Sequence, residues 1–298
     1  MATLPELPPP SSGKTGWPWT EANKPPSPGA WPRITIVTPS MNQAKFLEET
    51  IRSVLLQGYP DLEYMVIDGG STDGSIEIIR PYEKWLTYWT SEPDKGQADA
   101  VNKGWRRATG DILAYINSDD TYCPDALRLV AQAFASDPQL GLVYGRCYVI
   151  DEQGAVLRER RVRDATLAEV LRWSPSIPQP TMFAQRTAVE TVGLLRTDLQ
   201  YTMDYELSLR IGLKYRMQFL PHFLANMRDH PAAKTALDPL RHIDEGIAVA
   251  EGFFTQTLPA DLGRLKNKTL ATLFVRKARV LSDGACATMS SRFAIVRF

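Results

Sequence analysis

The feature that most constrains this chain is a short apolar run that ends in carboxylates. Residues 112–116 read Ile-Leu-Ala-Tyr-Ile, a pattern typical of a buried strand, and residues 117–120 read Asn-Ser-Asp-Asp. We call residues 117–120 the acidic turn. Two adjacent carboxylates repel each other, so solvent, backbone N–H groups, a basic partner or a divalent cation must offset the repulsion. Hard oxygen ligands favour Mg²⁺ or Mn²⁺.

A simpler interpretation of the acidic turn is open at this point. Asp120 or Thr121 can cap a helix that begins near Pro124, because a side-chain oxygen at that position accepts a bond from the first backbone N–H groups. Asp-rich turns of this kind are common. The rest of the chain must therefore decide between a cap and a site.

The chain around the acidic turn alternates strands with amphipathic helices. Strands are predicted at residues 34–37, 62–67, 88–90 and 112–116, with helices at residues 43–57, 75–85 and 97–107. This order indicates βαβ units, an α/β fold and a mostly parallel sheet with right-handed crossovers. The loops after these strands then meet at one edge of the sheet, which is where α/β proteins bind ligands.

The second half of the chain predicts more of both elements. Helices are expected at residues 124–136, 204–213 and 241–254, strands at 140–150 and 217–220, and a loop around Pro175, Pro178 and Pro180. Arginines dominate residues 158–163, and a solvated strand or turn is the favoured interpretation of that run.

Two terminal segments differ in composition from the rest. Residues 1–32 are rich in proline, which prevents regular helix, and we expect an extended arm. Trp17, Trp19 and Trp31 would be costly in solvent, so the arm should lie against the domain or a partner. Residues 256–298 predict a basic helical tail that docks on the core or, as the less favoured alternative, contacts an anionic membrane surface.

Global properties exclude several classes of protein. Lysine plus arginine equals aspartate plus glutamate at 34 each, so bulk charge does not favour nucleic acid as a partner. Three distant cysteines give neither metal-ligand spacing nor a disulfide framework. No signal-peptide pattern or membrane-spanning apolar run is visible, and we expect a cytoplasmic protein that can be peripheral at the inner face of the membrane.

Four motifs in sequence order resemble the motif series of family 2 glycosyltransferases. They are Ile-Val-Thr-Pro-Ser-Met-Asn at 36–42, Val-Ile-Asp-Gly-Gly-Ser-Thr-Asp-Gly at 66–74, the acidic turn, and Met-Asp-Tyr-Glu-Leu-Ser-Leu-Arg at 203–210. The resemblance covers roughly residues 33–235. It implies the GT-A fold, a Rossmann-like α/β fold whose central, mostly parallel sheet is flanked by helices. The expected catalytic domain is residues 33–255, with a nucleotide-binding half (33–120) and an acceptor half (121–255).

The resemblance also implies an activity. The expected enzyme is a metal-dependent, inverting glycosyltransferase that moves a hexosyl or N-acetylhexosaminyl group from a nucleotide-diphosphate donor, with a UDP-sugar favoured. The acceptor would be a hydroxyl of a carbohydrate or a lipid-linked glycan, in polysaccharide or glycolipid assembly. A non-catalytic module that binds a nucleotide sugar or glycan is the alternative. A dinucleotide-binding oxidoreductase is disfavoured, because no Gly-x-Gly-x-x-Gly follows the first strand.

Donor-binding residues follow from the matched motifs. Asp68 would accept a hydrogen bond from the base, and backbone groups of residues 38–40 would line the same pocket. Gly69 stands where the family usually has a second acid, so no further carboxylate contact is expected there. The residues assigned to the donor are Thr38, Pro39, Ser40, Asp68, Gly96, Gln97, Asp99, Asn117 and Ser118.

The metal and the base are assigned in the same way. Asp119 matches the carboxylate that coordinates Mn²⁺ or Mg²⁺, and His230 is a possible further ligand or a diphosphate contact. Asp204 matches the catalytic base that takes the proton of the acceptor hydroxyl, and Glu206 is the fallback. Either acid could instead cap the helix that begins there. Asp120 is left between a supporting contact and a helix cap.

Overall fold

The computed structural model describes residues 3–27, 29–173 and 177–293, with side chains described up to residue 282. The predictions made for Pro28, for Pro175 and for the last five residues of the tail lie outside this range. So do those that concern the first two residues of the arm.

The first half of the domain has the predicted alternation of strands and helices. It comprises β1 (Ile34–Ser40), α1 (Ala44–Leu55), β2 (Leu62–Asp68), α2 (Ser75–Ile79), β3 (Tyr88–Ser91), α3 (Gln97–Trp105) and β4 (Ile112–Tyr115). A 3₁₀ turn (Arg80–Trp85) extends α2. Helix α1 forms because Phe46, Leu47, Ile51 and Val54 recur on one face, and all four are buried.

The second half adds the remaining elements. They are β5 (Thr121–Tyr122), α4 (Ala126–Ser136), β6 (Leu140–Ile150), β7 (Val156–Glu159), α5 (Leu167–Leu171), β8 (Phe183–Gln185), α6 (Arg186–Val192), α7 (Met203–Gly212), β9 (Arg216–Arg228), α8 (Lys234–Leu237), α9 (Pro239–Phe253), α10 (Ala260–Gly263) and α11 (Lys266–Phe293). Short 3₁₀ turns occur at Leu4–Glu6 and Gln179–Thr181.

In the part of the chain that the structure describes, nine strands form one sheet. Its order is β3-β2-β1-β4-β8-β6-β9-β5, and β7 pairs with β6 at the side. The long ladders, β1 with β2 and β6 with β9, are parallel, and the short β5 and β8 run antiparallel to their neighbours. The predicted α/β class with a mostly parallel sheet is confirmed.

Strand β1 is longer than predicted. The sequence indicated a strand that ends at Val37, whereas Thr38, Pro39 and Ser40 continue it in register with β2. Ser40 points its carbonyl at β2, where the Gly69 N–H donates to it at 2.8 Å. Pro39 therefore faces the β4 side, beyond the last β1–β4 pair, and its missing N–H costs no ladder bond.

The helix-cap interpretation of the acidic turn is wrong. Residues Thr121 and Tyr122 form β5, which pairs with β9, and α4 begins only at Ala126 after Asp125. The pairing with β9 holds the acidic turn against the end of another strand. This long-range contact, rather than a local cap, determines its conformation.

The N-terminal arm lies against the domain. Leu7 is buried in the same cluster as α1 and α4, Trp17 and Trp31 pack against that cluster, and Trp19 is buried as well. Arg52 of α1 has no exposed surface, and its guanidinium donates to the carbonyl oxygens of Pro8, Pro18 and Trp19 at 2.8–3.1 Å. The carbonyls of the arm thus satisfy the charged side chain that the core buries.

The tail docks on the opposite layer of helices. Helix α11 packs along α9, with Leu273 fully buried and Lys277 paired with Asp244. Among the described residues, no helix has both the length and the apolar character that crossing a bilayer requires. The favoured docking of the tail is confirmed.

Candidate active site

A cleft of about 600 Å³ opens where β4 and β9 end and α7 begins. Helices α9 and α11 close its other side, and we call α7, α9 and α11 the helical wall. The cleft brings together Gln97, Asn117, Asp119 and Asp204, four of the residues that the sequence assigned to the site.

Arg228, the last residue of β9, holds the acidic turn in place. Its backbone N–H donates to the Asp120 carboxylate at 2.9 Å, and its Nε donates to the Asp119 carbonyl at 2.8 Å. Its side chain is fully buried and also pairs with Glu49 at 3.0 Å. The basic partner that the two adjacent carboxylates require is therefore a residue of the chain itself.

Asp120 stabilises the acidic turn from within and is almost fully buried. It is 3% exposed, and burial together with the Asp119 charge raises the pKa of its carboxyl well above the ordinary value. The Arg228 N–H acts in the opposite direction. Asp120 thus supports the turn, while Asp119 is left partly open beside it.

Asp119 and His230 form the candidate metal site. The Asp119 Oδ2 lies 3.0 Å from the His230 Nε2, and the His230 ring packs against Phe46. Adjacent ligands of a six-coordinate cation with bonds of about 2.1 Å lie about 3 Å apart, so this pair fits Mg²⁺ or Mn²⁺. No group of three or more acidic, histidine or cysteine side chains suited to a metal occurs within the described residues. Further ligands would have to come from a bound diphosphate or from water.

Asn117 and Gln97 connect the acidic turn with α3. The Gln97 Nε2 donates to the Asn117 Oδ1, and both side chains line the cleft. Gly96, just before α3, has a φ of +108°, a left-handed conformation that favours glycine. A Cβ on Gly96 would stand 3.3 Å from the Gln200 Oε1, so the absence of a side chain keeps Gln200 in the cleft.

Asp204 lines the cleft from the first turn of α7. Burial raises the pKa of its carboxyl from 3.8 to about 6, and nearby N–H groups of the helix and the charge of Arg160 offset part of that effect. Thr202 precedes α7 and makes no side-chain cap there. The geometry presents Asp204 as a carboxylate of raised basicity, open to a ligand.

Glu206 lies outside the cleft. Arg210, one turn further along α7, donates to both of its carboxylate oxygens at 2.7–2.9 Å and binds the carbonyls of Val192 and Leu194. Positions two apart on a helix face away from each other. Asp204, and not Glu206, therefore lines the same cleft as the acidic turn.

Asp68 lies at the end of β2, at the edge of the sheet that we call the rim, and its carboxylate accepts hydrogen bonds from neighbouring residues of the protein. It is fully buried and accepts bonds from the N–H groups of Gly70 and Ser71 and from the hydroxyls of Ser71 and Ser91. In this structure Asp68 organises its own loop. Its role as a base contact stays a prediction.

The other donor residues predicted at this rim lie apart from the cleft. Thr38 bonds the Tyr64 hydroxyl at 3.0 Å, whereas the buried Ser40 hydroxyl has no hydrogen-bond partner among the described residues. Asp99 accepts a bond from the Lys95 N–H, as expected for a residue of a helix start. Ser118 is buried inside the acidic turn.

The sequence did not indicate one residue that holds the start of α7. Glu245 of α9 accepts bonds from the N–H groups of Gln200, Tyr201 and Thr202 and from the Thr202 hydroxyl, at 2.7–2.9 Å. Burial alone would raise the pKa of Glu245, but these donors hold it below the ordinary value. They fix the segment that leads into Asp204. No local pattern marked Glu245, because its partners lie more than forty positions away.

The basic run at residues 158–163 is only partly solvated. Strand β7 is exposed along its length, as predicted, but Arg158 and Arg160 line the cleft. The α11 residue Arg276 lines it as well.

Comparison with known proteins identifies the family. The sequence model of glycosyl transferase family 2 matches residues 35–193, more than half of the chain. The chain belongs to glycosyl transferase family 2. It is a glycosyltransferase with the GT-A fold that its motifs implied.

A glycosyltransferase and a synthase are similar in sequence to this family 2 chain. An uncharacterized glycosyltransferase of Mycobacterium tuberculosis is 30% identical over 184 residues, which cover 61% of this chain and 70% of the relative. The poly-beta-1,6-N-acetyl-D-glucosamine synthase of Staphylococcus epidermidis is 25% identical over 205 residues, 65% of this chain and 49% of the relative.

Solved structures share the fold. The mannosyltransferase PcManGT from Pyrobaculum calidifontis, in complex with GDP-Man and Mn²⁺, aligns with a TM-score of 0.62 at 23% identity, covering 91% of this chain and 84% of that one. S. aureus TarS 1–349 in complex with UDP-GlcNAc aligns with a TM-score of 0.64 at 15% identity, covering 81% and 71%.

Proposed function

We propose that this glycosyltransferase transfers a sugar, with inversion, from a nucleoside-diphosphate donor to a hydroxyl acceptor, using a divalent cation. The observation that carries the proposal is that Asp204 and Asp119, the latter bonded to His230, line the same cleft from different elements of the fold. A base and a diphosphate-binding edge must stand on opposite sides of the anomeric carbon for the acceptor to attack from the face opposite the leaving group.

Asp204 is the proposed base. A carboxyl whose pKa is about 6 is mostly ionised at pH 7, yet it takes a proton more readily than an ordinary aspartate. In the proposed step Asp204 accepts the proton of the attacking hydroxyl as its oxygen bonds to the anomeric carbon, and the bond to the diphosphate breaks. Glu245 keeps Asp204 in place by fixing residues 200–202.

Asp119 and His230 would hold Mn²⁺ or Mg²⁺, with Asn117 bonding a ribose hydroxyl and Gln97 orienting Asn117. When bound, the cation supplies positive charge next to the departing diphosphate. Asp68, Ser40 and the other residues at the ends of β1 and β2 are proposed to bind the nucleobase of the donor. A UDP-sugar is the favoured donor, because of the motif resemblance and the UDP-GlcNAc complex of TarS. A GDP-sugar is the competing donor, because of the GDP-Man complex of PcManGT.

The acceptor is proposed to be a growing glycan or a lipid-linked precursor of one. The support is the name of the S. epidermidis relative, a polysaccharide synthase. An acceptor of that kind suits a cleft of this size, because both apolar side chains, such as Trp173 and Met203, and basic ones, such as Arg160 and Arg276, line it.

The test combines donor binding with transfer. UDP and GDP are each titrated into the protein with Mn²⁺ in a thermal-shift assay, and a panel of UDP- and GDP-sugars is screened for hydrolysis or transfer. Asp204→Asn is expected to lower transfer at least about 100-fold while the nucleotide shift is unchanged. Glu206→Gln, two positions away and outside the cleft, is the control.

Three outcomes count against the proposal. If neither nucleotide with Mn²⁺ stabilises the protein at millimolar concentration, the cleft is not a donor site. If transfer survives in Asp204→Asn and is lost in Glu206→Gln, the base is wrongly assigned. Nucleotide binding without turnover of any donor would favour the non-catalytic module instead.

A further inference from the structure

The C-terminal helix α11 places an arginine in the wall of the cleft. Arg276 is half-buried, and its Nη2 donates to the Trp173 carbonyl oxygen at 2.6 Å. Among the residues that the structure describes, this is the one hydrogen bond Arg276 makes, and no carboxylate pairs with it. A guanidinium carries five N–H donors, so most of them stay available to a ligand. Arg276 lies far outside the residues 35–193 that match the family.

Arg276 stands on the same side of the cleft as the proposed base. The Trp173 ring packs against the Tyr205 ring with centroids 5.2 Å apart, and Tyr205 directly follows Asp204 in α7. The charge of Arg276 lowers the pKa of Tyr205 against the larger effect of burial, which places the two side chains close together. Asp119 and His230 follow the ends of β4 and β9, and no contact among the described residues joins them to Arg276, Trp173 or Tyr205. An occupant of the Arg276 side would therefore be the acceptor rather than the donor diphosphate.

The energetics favour an anion at this position. A cation that is partly removed from water without a carboxylate partner loses hydration and gains little in return. Burial, together with repulsion from Arg279, lowers the pKa of Arg276 from its ordinary value. An anionic ligand would relieve both effects and would make charge-assisted hydrogen bonds to the fork of the guanidinium.

Other arginines line the same cleft. Arg160 is near enough to lower the pKa of Asp204, and Arg158 stands 4.0 Å from Asp229 with both side chains largely exposed. Phosphate offers three oxygens and up to two charges, and thus suits more than one guanidinium better than a single carboxylate does. A neutral sugar would offer no charge to Arg276.

We infer that Arg276 binds a phosphate group carried by the acceptor. This inference rests on the proposed function, since it assumes that the donor occupies the Asp119 side. The acceptor is then a phosphate ester, whether a sugar phosphate or the phosphate of a prenyl-linked glycan. Arg276 is a specificity-determining residue that selects this class over neutral glycans.

The experiment measures a second binding event on protein already saturated with UDP and Mn²⁺. Four probes are titrated calorimetrically into this complex: glucose 1-phosphate, geranyl phosphate, glucuronate and glucose. At least one phosphate probe is expected to bind, with a Kd at least about tenfold lower than those of glucose and glucuronate. The preferred phosphate probe identifies the source of the group.

Variants separate a binding role from a structural one. Arg276→Gln, which can still donate to the Trp173 carbonyl, should raise the Kd of the phosphate probe about tenfold or more without changing the affinity for UDP. Arg276→Lys should retain part of the binding. Lys268→Gln removes a positive charge from an exposed position on α11, about two turns from Arg276, and should change neither affinity.

The inference is overturned if no phosphate probe binds the saturated wild type, or if Arg276→Gln binds it as well as the wild type does. Glucuronate that binds as tightly as the phosphates would overturn the choice of phosphate. Failure of UDP and Mn²⁺ to bind at the outset would instead refute the proposed function, and the two failures are therefore distinguishable.

Discussion

At the scale of single residues, the environment of Asp204 sets its chemistry. The side chain is enclosed by the cleft, and burial raises the pKa of its carboxyl to about 6. Glu206 is only two positions away but is fully paired with Arg210. The two acids lie in one turn of the helix, yet Asp204 is available to a ligand and Glu206 is not, because they face different surroundings.

The first prediction concerns the pH dependence of transfer. Asp204 must be ionised to accept a proton, so kcat/KM is expected to fall tenfold per pH unit below about pH 6 and to level off above it. The measurement is transfer between pH 5 and pH 8 at constant ionic strength. Asp204→Asn should abolish the inflection in the residual activity. An inflection near pH 4 would assign the base to an unperturbed acid.

The second prediction concerns stability. The folded-state pKa of Asp204 is raised from 3.8, so protonated Asp204 stabilises the fold below about pH 4 and that contribution is lost as pH rises through about 6. At pH 7 the ionised form costs at most about 2 to 3 kcal/mol, less the part that solvent in the cleft screens.

Asp204→Asn should therefore be more stable than the wild type at pH 7, by about 1 to 2 kcal/mol, and equal to it near pH 4. Urea denaturation at the two pH values measures the difference. Asp198→Asn is the control, because Asp198 is paired with Arg196 on the surface and has a lowered pKa. A destabilised Asp204→Asn at pH 7 would contradict the linkage.

At the scale of elements, the start of α3 depends on one backbone conformation. Gly96→Ala puts a Cβ at a φ of +108° and 3.3 Å from the Gln200 Oε1. We expect a loss of about 1 to 3 kcal/mol in the free energy of unfolding and weaker donor binding, because Gln200 and the α3 start both shift. Thermal unfolding with and without UDP and Mn²⁺ measures both effects.

Gly252→Ala is the matched control for this prediction. Gly252 lies near the end of α9, with no positive φ and no atom within 4 Å of its Cβ position. The substitution should be neutral or stabilise the protein by up to about 1 kcal/mol. Equal effects of the two substitutions would show that the conformation of Gly96 does not matter.

Helices and strands were predictable from the sequence wherever apolar residues recur at the spacing of a helix or a strand. The apolar spacing of α1 and the β-branched run of β1 are local patterns, and both elements form as predicted. The last three residues of β1 and the whole of β5 were missed, because each is made by pairing with a strand elsewhere in the chain. Two residues of β5 carry too short a pattern to read.

The candidate site was predictable to the same extent. Asn117, Asp119 and Asp204 were found because they belong to motifs, and the structure brings them to one cleft. Arg228, Glu245 and Arg276 were not predicted as site residues. Each acts through carbonyl, N–H or ring contacts to distant segments, and a single sequence does not encode those distances locally.

At the scale of the whole molecule, the N-terminal arm and the domain share one buried charge. Deleting residues 1–20 removes the three carbonyl acceptors of Arg52 and should destabilise the domain by about 3 to 5 kcal/mol. Arg52→Met should destabilise the full chain. In the deleted chain, the same substitution should be neutral or stabilising, because it removes a buried charge that has lost its three carbonyl acceptors and retains the Tyr82 hydroxyl.

A double-mutant cycle measures this reversal of sign by urea denaturation of the four proteins. Lys45→Met, an exposed cation on the same helix, serves as the control and should have the same small effect in both backgrounds. Additive effects of the deletion and Arg52→Met would mean that the arm stabilises the domain by other contacts.

The chain should also respond to metal and nucleotide together rather than to metal alone. With two candidate ligands, Asp119 and His230, the described residues make an incomplete cation site. Mn²⁺ alone is expected to give little thermal shift, UDP alone a modest one, and the pair more than the sum of both. A full shift with Mn²⁺ alone would contradict this.

The way Arg228 holds the acidic turn has a consequence for the kinetics of metal binding. The acidic turn is held by a charge that never leaves the chain, so it keeps its shape between turnovers whether or not a cation is present. Under the proposed function, the ion would bind together with each donor and leave together with each nucleoside diphosphate. Steady-state kinetics should accordingly treat the metal–nucleotide complex as one exchangeable reactant, and its release as a step that can limit the cycle.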